Sequence, residues 1–399
     1  MDWMVPWTSL DNDQRNIIQA IESSTSHCIW VDGFAGSGKT LILLHFIKRF
    51  IIKSGRGSIC FITYTHALTD LALTAFTRDE LSKVNVTTLY NFLQKKDPSY
   101  DIVVLDEVQD AKSIDLQRVY QKANKLLLIA GDPTQSIYEH GVTKEELFRY
   151  NGGKNPLRLK NVYRLTEKIK KVANIICPNS NIIYSSTPTK LNTLKRGSDV
   201  YFFEAESKEE EVKFVMSKVL DYIAPGKPCA ILFPHHYAIK EFCYIYIDQI
   251  GLDFDIVNNG ERLDYEKFNE FCEKNNLKIN YFGNKKGSLD LSDRMAMTYL
   301  MTYHSAKGLD FDTVMIPFFD DEIVRRILYK MSLADPEMPN RLLYVAATRS
   351  RFDLIFSYHT KKPYKLLVDL KNKGLISKMV NKKKFNSDHD FDDSDDDLF

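Results

Sequence analysis

Cysteine is scarce in this chain, and no two cysteines are spaced as a pair. Six occur in 399 residues, at Cys28, Cys60, Cys177, Cys229, Cys243 and Cys272, with no C-x-x-C among them. That scatter argues against a zinc site and points to reduced thiols in a cytoplasmic compartment, or a nuclear one in a eukaryote. Each is otherwise accounted for as a small buried hydrophobe. No segment offers the roughly twenty uninterrupted apolar residues of a membrane span, so no membrane contact is expected. Met1-Asp2-Trp3-Met4-Val5-Pro6 lacks the basic start and apolar run of a signal peptide. There is no internal repeat. An acidic cluster with a lysine on a separate domain, as a nuclease would need, is also missing, so any cleavage would have to come from a partner.

Net charge is close to absent, at +1, but it is unevenly spread. Apolar residues make up 44% and charged residues 27%, ordinary for a globular protein. The length suits two or three domains. Short apolar runs alternate with helical patterns, the signature of a parallel sheet wrapped by helices. Strands are expected at residues 28–31, 59–63, 102–105 and 126–129, then at 200–203, 230–233, 297–301, 314–316 and 354–356. The Gly/Asn/Pro cluster at residues 151–156 reads as the linker between two α/β units. The expected division is 1–155, then 156–368 with an irregular insertion at about 255–295, then a tail at 369–399. That tail runs from Lys382-Lys383-Lys384 into Asp388, Asp390, Asp392, Asp393, Asp395, Asp396 and Asp397 and ends Leu398-Phe399. Such a run is expected to be disordered and solvated.

Gly33-Phe34-Ala35-Gly36-Ser37-Gly38-Lys39-Thr40 fits G-x-x-x-x-G-K-[ST] between an expected strand and an expected helix. In that context the glycines let backbone N–H groups turn inward around phosphate oxygens, and the helix start adds its positive end. Lys39 would reach the β/γ-phosphates of ATP, and the Thr40 hydroxyl would ligate Mg²⁺. The alternative is a chance glycine-rich turn. Asp106-Glu107 closes another expected strand. Asp106 suits Mg²⁺, held through water, and Glu107 suits the attacking water. Alone, that pair would read as solvated acids at a strand end. Gln109-Asp110 and the phosphate loop tip the balance.

A series of motifs then resembles the UvrD/Rep family of superfamily 1 helicases, over about residues 10–358. After the phosphate loop come Asp106-Glu107-Val108-Gln109-Asp110, Gly131-Asp132-Pro133-Thr134-Gln135-Ser136-Ile137-Tyr138 and Val162-Tyr163-Arg164. Thr302-Tyr303-His304-Ser305-Ala306-Lys307-Gly308-Leu309-Asp310-Phe311 and Tyr344-Val345-Ala346-Ala347-Thr348-Arg349 follow. The resemblance implies two RecA-like P-loop NTPase domains, each a parallel sheet flanked by helices, with a disordered acidic C-terminal tail. It implies that Gln14 reads the adenine edge and Tyr163 stacks on the base. Gln135 would sense the γ-phosphate, and Arg164 and Arg349 would reach it from the second lobe. Asp310 stands where the family usually has Glu, near the ribose. Guanidinium groups suit that work as planar, permanently charged donors, although a surface salt bridge is arginine's commoner fate.

The same resemblance implies a single-stranded DNA track, with RNA not excluded. Tyr64, in Ile62-Thr63-Tyr64-Thr65-His66-Ala67, is the expected strand-contacting aromatic, with His66 beside it. Thr88 is the expected phosphate donor in the next such segment, where Phe92 reads as core. His304 matches a histidine near the nucleic acid. His140 stands where the family has a base-stacking aromatic, Val162 replaces Asn, Leu165 replaces Ser, and the acidic run before the last arginine motif is reduced to Glu337. The intervals from Thr40 to Asp106 and from Arg164 to His304 are too short for the large insertions of full-sized members. The implied activity is ATP-dependent movement along single-stranded DNA, 3′→5′, with translocation better supported than unwinding. The alternative is an ATP-dependent nucleic-acid-sensing switch in a larger complex; a P-loop ATPase unrelated to nucleic acid leaves the later motifs unexplained. The tail resembles the acidic tips of single-strand DNA-binding proteins. It reads as a protein-docking tip, a solubilising tail, or an autoinhibitory competitor for a basic groove.

Overall fold

The computed structural model describes residues 4–380 except 55–56, 96–98, 138–140, 164, 181, 183–198, 225–226, 255–257, 260–261, 284–285, 288–296, 322–323 and 325–335. Two parallel sheets, each flanked by helices, carry the fold. The first contains β1 (Cys28–Gly33), β2 (Ile59–Thr63), β3 (Val84–Thr88), β4 (Tyr100–Leu105), β5 (Ala123–Ala130) and β6 (Leu157–Leu159). Its order is β3-β2-β4-β5-β1-β6, and every neighbouring pair runs parallel. The second is built from β7 (Val200–Glu204), β8 (Cys229–Phe233), β11 (Ile279–Tyr281), β12 (Thr298–Thr302), β13 (Phe311–Ile316), β14 (Ser350–Tyr358) and β15 (Ser377–Lys378). They lie in the order β11-β12-β8-β13-β14-β7-β15, again all parallel. A short antiparallel ladder, β9 (Asn258–Asn259) with β10 (Arg262–Leu263), stands apart.

All nine expected strands are present. The strands that went unread in the sheets, β3, β6, β11 and β15, are the four edge strands. A central parallel strand is covered on both faces and reads as a continuous apolar run. An edge strand has less to bury, and β3 (Val84-Asn85-Val86-Thr87-Thr88) has only two apolar residues.

The burial follows the strand period of two. On β1, Ile29 and Val31 join the apolar cluster on one face of the first sheet, whereas Cys28 and Trp30 join the cluster on the other. On β8, Ala230 and Leu232 face one side and Cys229, Ile231 and Phe233 the other. The lobes are not apolar strangers. Phe34, Ala35, Ala67 and Ile137 of the first lobe share a single buried cluster with second-lobe residues such as Leu165, Tyr303, Leu309 and Tyr344.

Three expected borders move. β6 pairs with β1 through Val31–Leu157 and Gly33–Leu159, so the first sheet extends past residue 155. The region at about 255–295 holds the helix Tyr265–Lys274 and the sheet strand β11, so it is only partly irregular. The second lobe continues past 368, because the helix Lys365–Asn372 packs Leu366, Leu367 and Leu370 inward and β15 pairs with β7. The basic and acidic stretch from 381 to 399, with Leu398-Phe399, lies outside the described residues.

The turn at 151–155 is fastened to β1. Asn151 is buried, its Oδ1 accepts the Trp30 N–H (2.9 Å), and its Nδ2 donates to the Lys154 carbonyl (2.8 Å). Asn151→Ala leaves a buried backbone donor unpaired, and each such group is worth about 1–3 kcal/mol. The variant is predicted to lose stability of that order in urea denaturation, whereas a loss below about 0.5 kcal/mol would mean the turn is held elsewhere.

Candidate functional site

In a parallel α/β sheet the loops that leave the C-terminal strand ends converge, and side chains from distant sequence meet there. Gly33 ends β1, and Lys39 opens the helix Lys39–Ser54. Gly36 and Gly38 have φ of +75° and +88°, a region side-chain-bearing residues rarely adopt. Gly33 has no room for a side chain either: a Cβ there would stand 2.6 Å from Ser37 Oγ and 2.9 Å from Leu159 Cβ. Lys39 is buried, and its ammonium donates to the carbonyls of Gly33 (2.6 Å) and Phe34 (3.2 Å). Ser37 is fully buried, and its hydroxyl has no hydrogen-bond partner among the described residues. That orphaned donor in the glycine loop is what an incoming phosphate oxygen would satisfy, so the residues present fit a nucleotide phosphate chain.

Asp106 and Glu107 leave β4. Thr40 Oγ1 donates to Asp106 Oδ2 (2.6 Å), which brings the two expected metal-holding groups together. Asp106 is wholly buried; burial, and then the Glu107 charge, push its pKa up to about 6. A dication beside Thr40 and Asp106 would remove that cost, so the donor set also fits Mg²⁺. Glu107 has φ of +54°, uncommon for a residue with a side chain and costing of order 1–3 kcal/mol. Burial opposes its ionisation, but the Lys307 and Lys39 charges outweigh that and hold its pKa below the ordinary carboxylate value. Gln109 Nε2 donates to Glu107 Oε2. Gly131 makes space for that amide, since a Cβ at Gly131 would collide with Gln109 Oε1. Gln135 Nε2 donates to Asp132 Oδ2 (2.7 Å).

One cavity of about 190 Å³ collects these groups with second-lobe residues. Ala35, Gly36, Ser37, Gly38, Lys39, Thr40, Glu107 and Gln135 face Gly308, Asp310, Arg349 and Arg351 across it. Arg349 is buried, with its guanidinium donating to the carbonyls of Val345 (2.9 Å) and Leu309 (3.0 Å). Asp310 forms an ion pair with Arg351, which also reaches Asp312. Nothing in the spacing of residues 310 and 351 foretold that pairing. Gln14 and Tyr163 stand beside the loop and outside the lining of this cavity. Gln14 forms a capping box with Asp11, and its Nε2 lies against Gly38, 2.8 Å from where a Cβ would be. The Tyr163 N–H donates to the Gly36 carbonyl (3.0 Å), and its hydroxyl donates to Asp11. Arg164 and His140 lie outside the described residues.

Lys307 joins the lobes. Its ammonium is buried, donates to Asp110 and to the Gln135 carbonyl (3.1 Å), and stands 3.7 Å from Glu107. Arg341 Nε adds a donation to the Ser136 carbonyl. The sequence places Lys307 in a motif without revealing this partner, which is nearly two hundred residues away.

A second cleft, about 530 Å³, opens between the same lobes. Tyr64, Thr65, His66, Ala67 and Asp70 line it from the first lobe, and Phe282, Gly283, Gly287, His304 and Ser305 from the second. Three of the expected track residues, Tyr64, His66 and His304, are therefore brought together. Burial, then the Lys307 charge, lowers the pKa of His304, so its ring is neutral at neutral pH. Thr88 is not among them. It is buried as the N-cap of the helix Leu89–Gln94, where its Oγ1 accepts the Asn91 N–H (3.3 Å). A threonine directly before a helical run is the local signal for that cap. Phe92 is fully buried in the core, as expected.

Fold and site together define a two-lobed P-loop protein with a phosphate loop on one lobe facing arginines on the other. The UvrD-like helicase C-terminal domain family matches residues 252–361, and the AAA domain family matches residues 9–177. DNA helicase II of Haemophilus influenzae is 29% identical over 150 residues, which is 35% of this chain and 20% of that protein. Each lobe is thus similar to a helicase or AAA family over part of its length, and the chain aligns with only about a fifth of that relative's length. Two solved structures are similar in outline. The arterivirus nonstructural protein 10 helicase in complex with DNA is 14% identical, with a TM-score of 0.41 over 84% of this chain and 61% of that one. The C-terminal domain of a possible DNA helicase from Lactobacillus plantarum is 14% identical, with a TM-score of 0.35 over 54% and 98%. At those scores the fold rests on the sheet order and not on the neighbours. Among the described residues no helix is long and apolar enough to cross a membrane.

The Asp106 environment predicts a pH effect. An unfolded aspartate titrates near about 3.9. Between there and about 6 the folded chain keeps a proton that the unfolded chain has released. Stability of the nucleotide-free, metal-free protein should therefore fall as pH rises through that window. Asp106→Asn is predicted to remove that share of the slope in a urea series run from pH 4 to 7. An identical slope in the variant would show Asp106 ionised throughout.

Proposed function

We propose that the chain hydrolyses ATP in the cleft between its lobes and uses the cycle to move along single-stranded nucleic acid. The observation that carries this reading is the pair of clefts between the same two lobes: one lined by the phosphate loop, Glu107, Gln135 and Arg349, the other by Tyr64, His66 and His304. In the first, the amides of Gly36, Ser37 and Gly38, with Ala35 beside them, would cradle the phosphates. Lys39 would turn to the β/γ oxygens, and Gln14, Tyr163 and Asp310 would frame the nucleoside. Thr40 and Asp106 would hold Mg²⁺, which supplies charge neutralisation at the phosphate oxygens. Glu107, held ionised by two lysines, would accept the proton of the attacking water. Gln135 would report the γ-phosphate to Asp132, and Arg349, with Arg164, would stabilise its developing charge from the opposite lobe.

Closure then follows from contacts that exist only when both lobes touch one ligand, so ATP favours the closed state by that difference in affinity. In the second cleft, stacking on aromatic faces tolerates any base, which suits stepping. Single-stranded DNA is the proposed track, with 3′→5′ polarity on the strength of the family resemblance. The acidic tail is proposed to meet a protein partner.

The deciding measurement is ATP hydrolysis with and without single-stranded DNA or RNA. The expected result is marked stimulation by the strand and loss of turnover in Lys39→Ala. Arg349→Ala should lower turnover by on the order of 10³-fold. Equal rates with and without nucleic acid would sink the motor reading. Each stacked base is worth about 1–3 kcal/mol, so Tyr64→Ala should weaken strand binding by about 5- to 150-fold while leaving the strand-free rate near its starting value. Forked duplexes with each overhang polarity then separate unwinding and its direction from translocation alone.

A further inference from the structure

Away from both clefts, the second lobe gathers two buried carboxylates and a partly buried histidine that the proposed reaction does not use. Glu211 lies in the first turn of the helix Lys208–Tyr222, Asp320 follows β13, and His359 follows β14. One potential ligand atom from each lies within 4.8 Å of the others, and both carboxylates are fully buried. Among the described residues no other such group of His, Cys, Asp and Glu converges.

Each carboxylate is fastened by one oxygen and presents the other. Glu211 Oε1 accepts the Phe318 N–H (2.7 Å) and the Ser357 hydroxyl (2.6 Å), while Oε2 stands 2.6 Å from His359 Nδ1. Asp320 Oδ1 accepts the N–H groups of Thr360 (2.8 Å) and His359 (3.3 Å). Its Oδ2 is buried, accepts no hydrogen bond from the described residues, and stands 3.3 Å from the same imidazole nitrogen. Outer partners that fix one oxygen and aim the other are what orient ligands at metal centres. Charge balance favours the same reading. Among the described residues, a protonated imidazole leaves two ionised buried carboxylates short by one positive charge, and the nearby Lys208 is already paired with Glu241. A dication bound by neutral imidazole and two carboxylates is balanced. Zinc bonds to nitrogen and oxygen run about 2.0–2.2 Å, so small side-chain shifts would bring all three atoms onto one ion.

We propose that Glu211 Oε2, Asp320 Oδ2 and His359 Nδ1 bind a single transition-metal dication of the zinc type, with water in the remaining position. The ion pins the helix Lys208–Tyr222 to the ends of β13 and β14. No cysteine takes part, and for that reason cysteine spacing gave no sign of it. His359 remains about one-tenth exposed, which leaves a path for the ion and its water.

The test uses the full chain, stripped with chelator and dialysed in excess Mg²⁺. Zn²⁺ titration by calorimetry should show one ion per chain, and Zn²⁺ should raise the melting temperature by at least about 2 °C. Co²⁺ should give visible absorption bands of an ion with nitrogen and oxygen ligands. Asp320→Asn and His359→Gln should each abolish uptake, and Ser357→Ala, which only loosens Glu211, should weaken it about 10- to 100-fold. Asp106→Asn should leave uptake intact, separating this ion from the nucleotide metal. Absence of Zn²⁺ uptake by the wild-type chain, or uptake by Asp320→Asn equal to wild type, overturns the proposal. If the two ligand variants do not fold, the wild-type Co²⁺ spectrum decides: no bands, or bands of sulfur ligation, overturn it.

Discussion

A buried ammonium group sets the terms of this structure. Lys307 leaves water at the junction of the lobes and is repaid there by Asp110, the Gln135 carbonyl and, a little further off, Glu107. Removing an ion from water costs several kcal/mol even after the protein relaxes, and removing only one member of a buried pair is worse than never having it. The lobes therefore meet in a defined register or expose an uncompensated charge. The shared apolar cluster around Phe34, Ala67, Tyr303 and Leu309 contributes adhesion, but apolar contact alone does not fix register. The charge does.

The same lysine links the two clefts through the chain itself. His304 lines the cleft with Tyr64, its carbonyl accepts the Lys307 N–H (3.2 Å), and Gly308 lines the cavity at the phosphate loop. The stretch 304–308 thus reaches both clefts and, through Lys307, Glu107 and Asp110. Gly308 has φ of +82° and approaches Leu68 of the first lobe so closely that a Cβ would stand 2.3 Å from a Leu68 methyl. This turn is packed tightly against the first lobe. It joins the walls of the two clefts, the contact through which the proposed coupling of nucleotide state to strand grip would run. Glu107 adds a second constraint: its left-handed backbone is held by the packing of the residues that follow it, so its carboxylate direction depends on the surrounding fold.

Local chemistry was legible in the order of residues wherever the cause is itself local. The phosphate loop needs glycine where φ is positive, and Gly36 and Gly38 announce it. Central strands must be apolar on both faces, so β1, β2, β4, β5, β8 and β13 declare themselves, while β3, β6, β11 and β15 do not, because an edge has one neighbour to satisfy. Thr88 shows where local chemistry stops short of a role. Its hydroxyl caps the helix it precedes, and a cap and a phosphate donor look alike in one dimension.

By itself the sequence determined which groups could carry the chemistry: a phosphate-binding turn, paired acids at a strand end, and arginines in a second α/β unit. It determined the central strands and, through them, the fold class. Only the tertiary structure decided which charges face each other. Lys307 with Asp110, Arg351 with Asp310, and Glu211 with Asp320 and His359 are pairings across gaps of tens to hundreds of residues. Electrostatic energy depends on distance through space and on exclusion of water, and neither is a property of position along a chain.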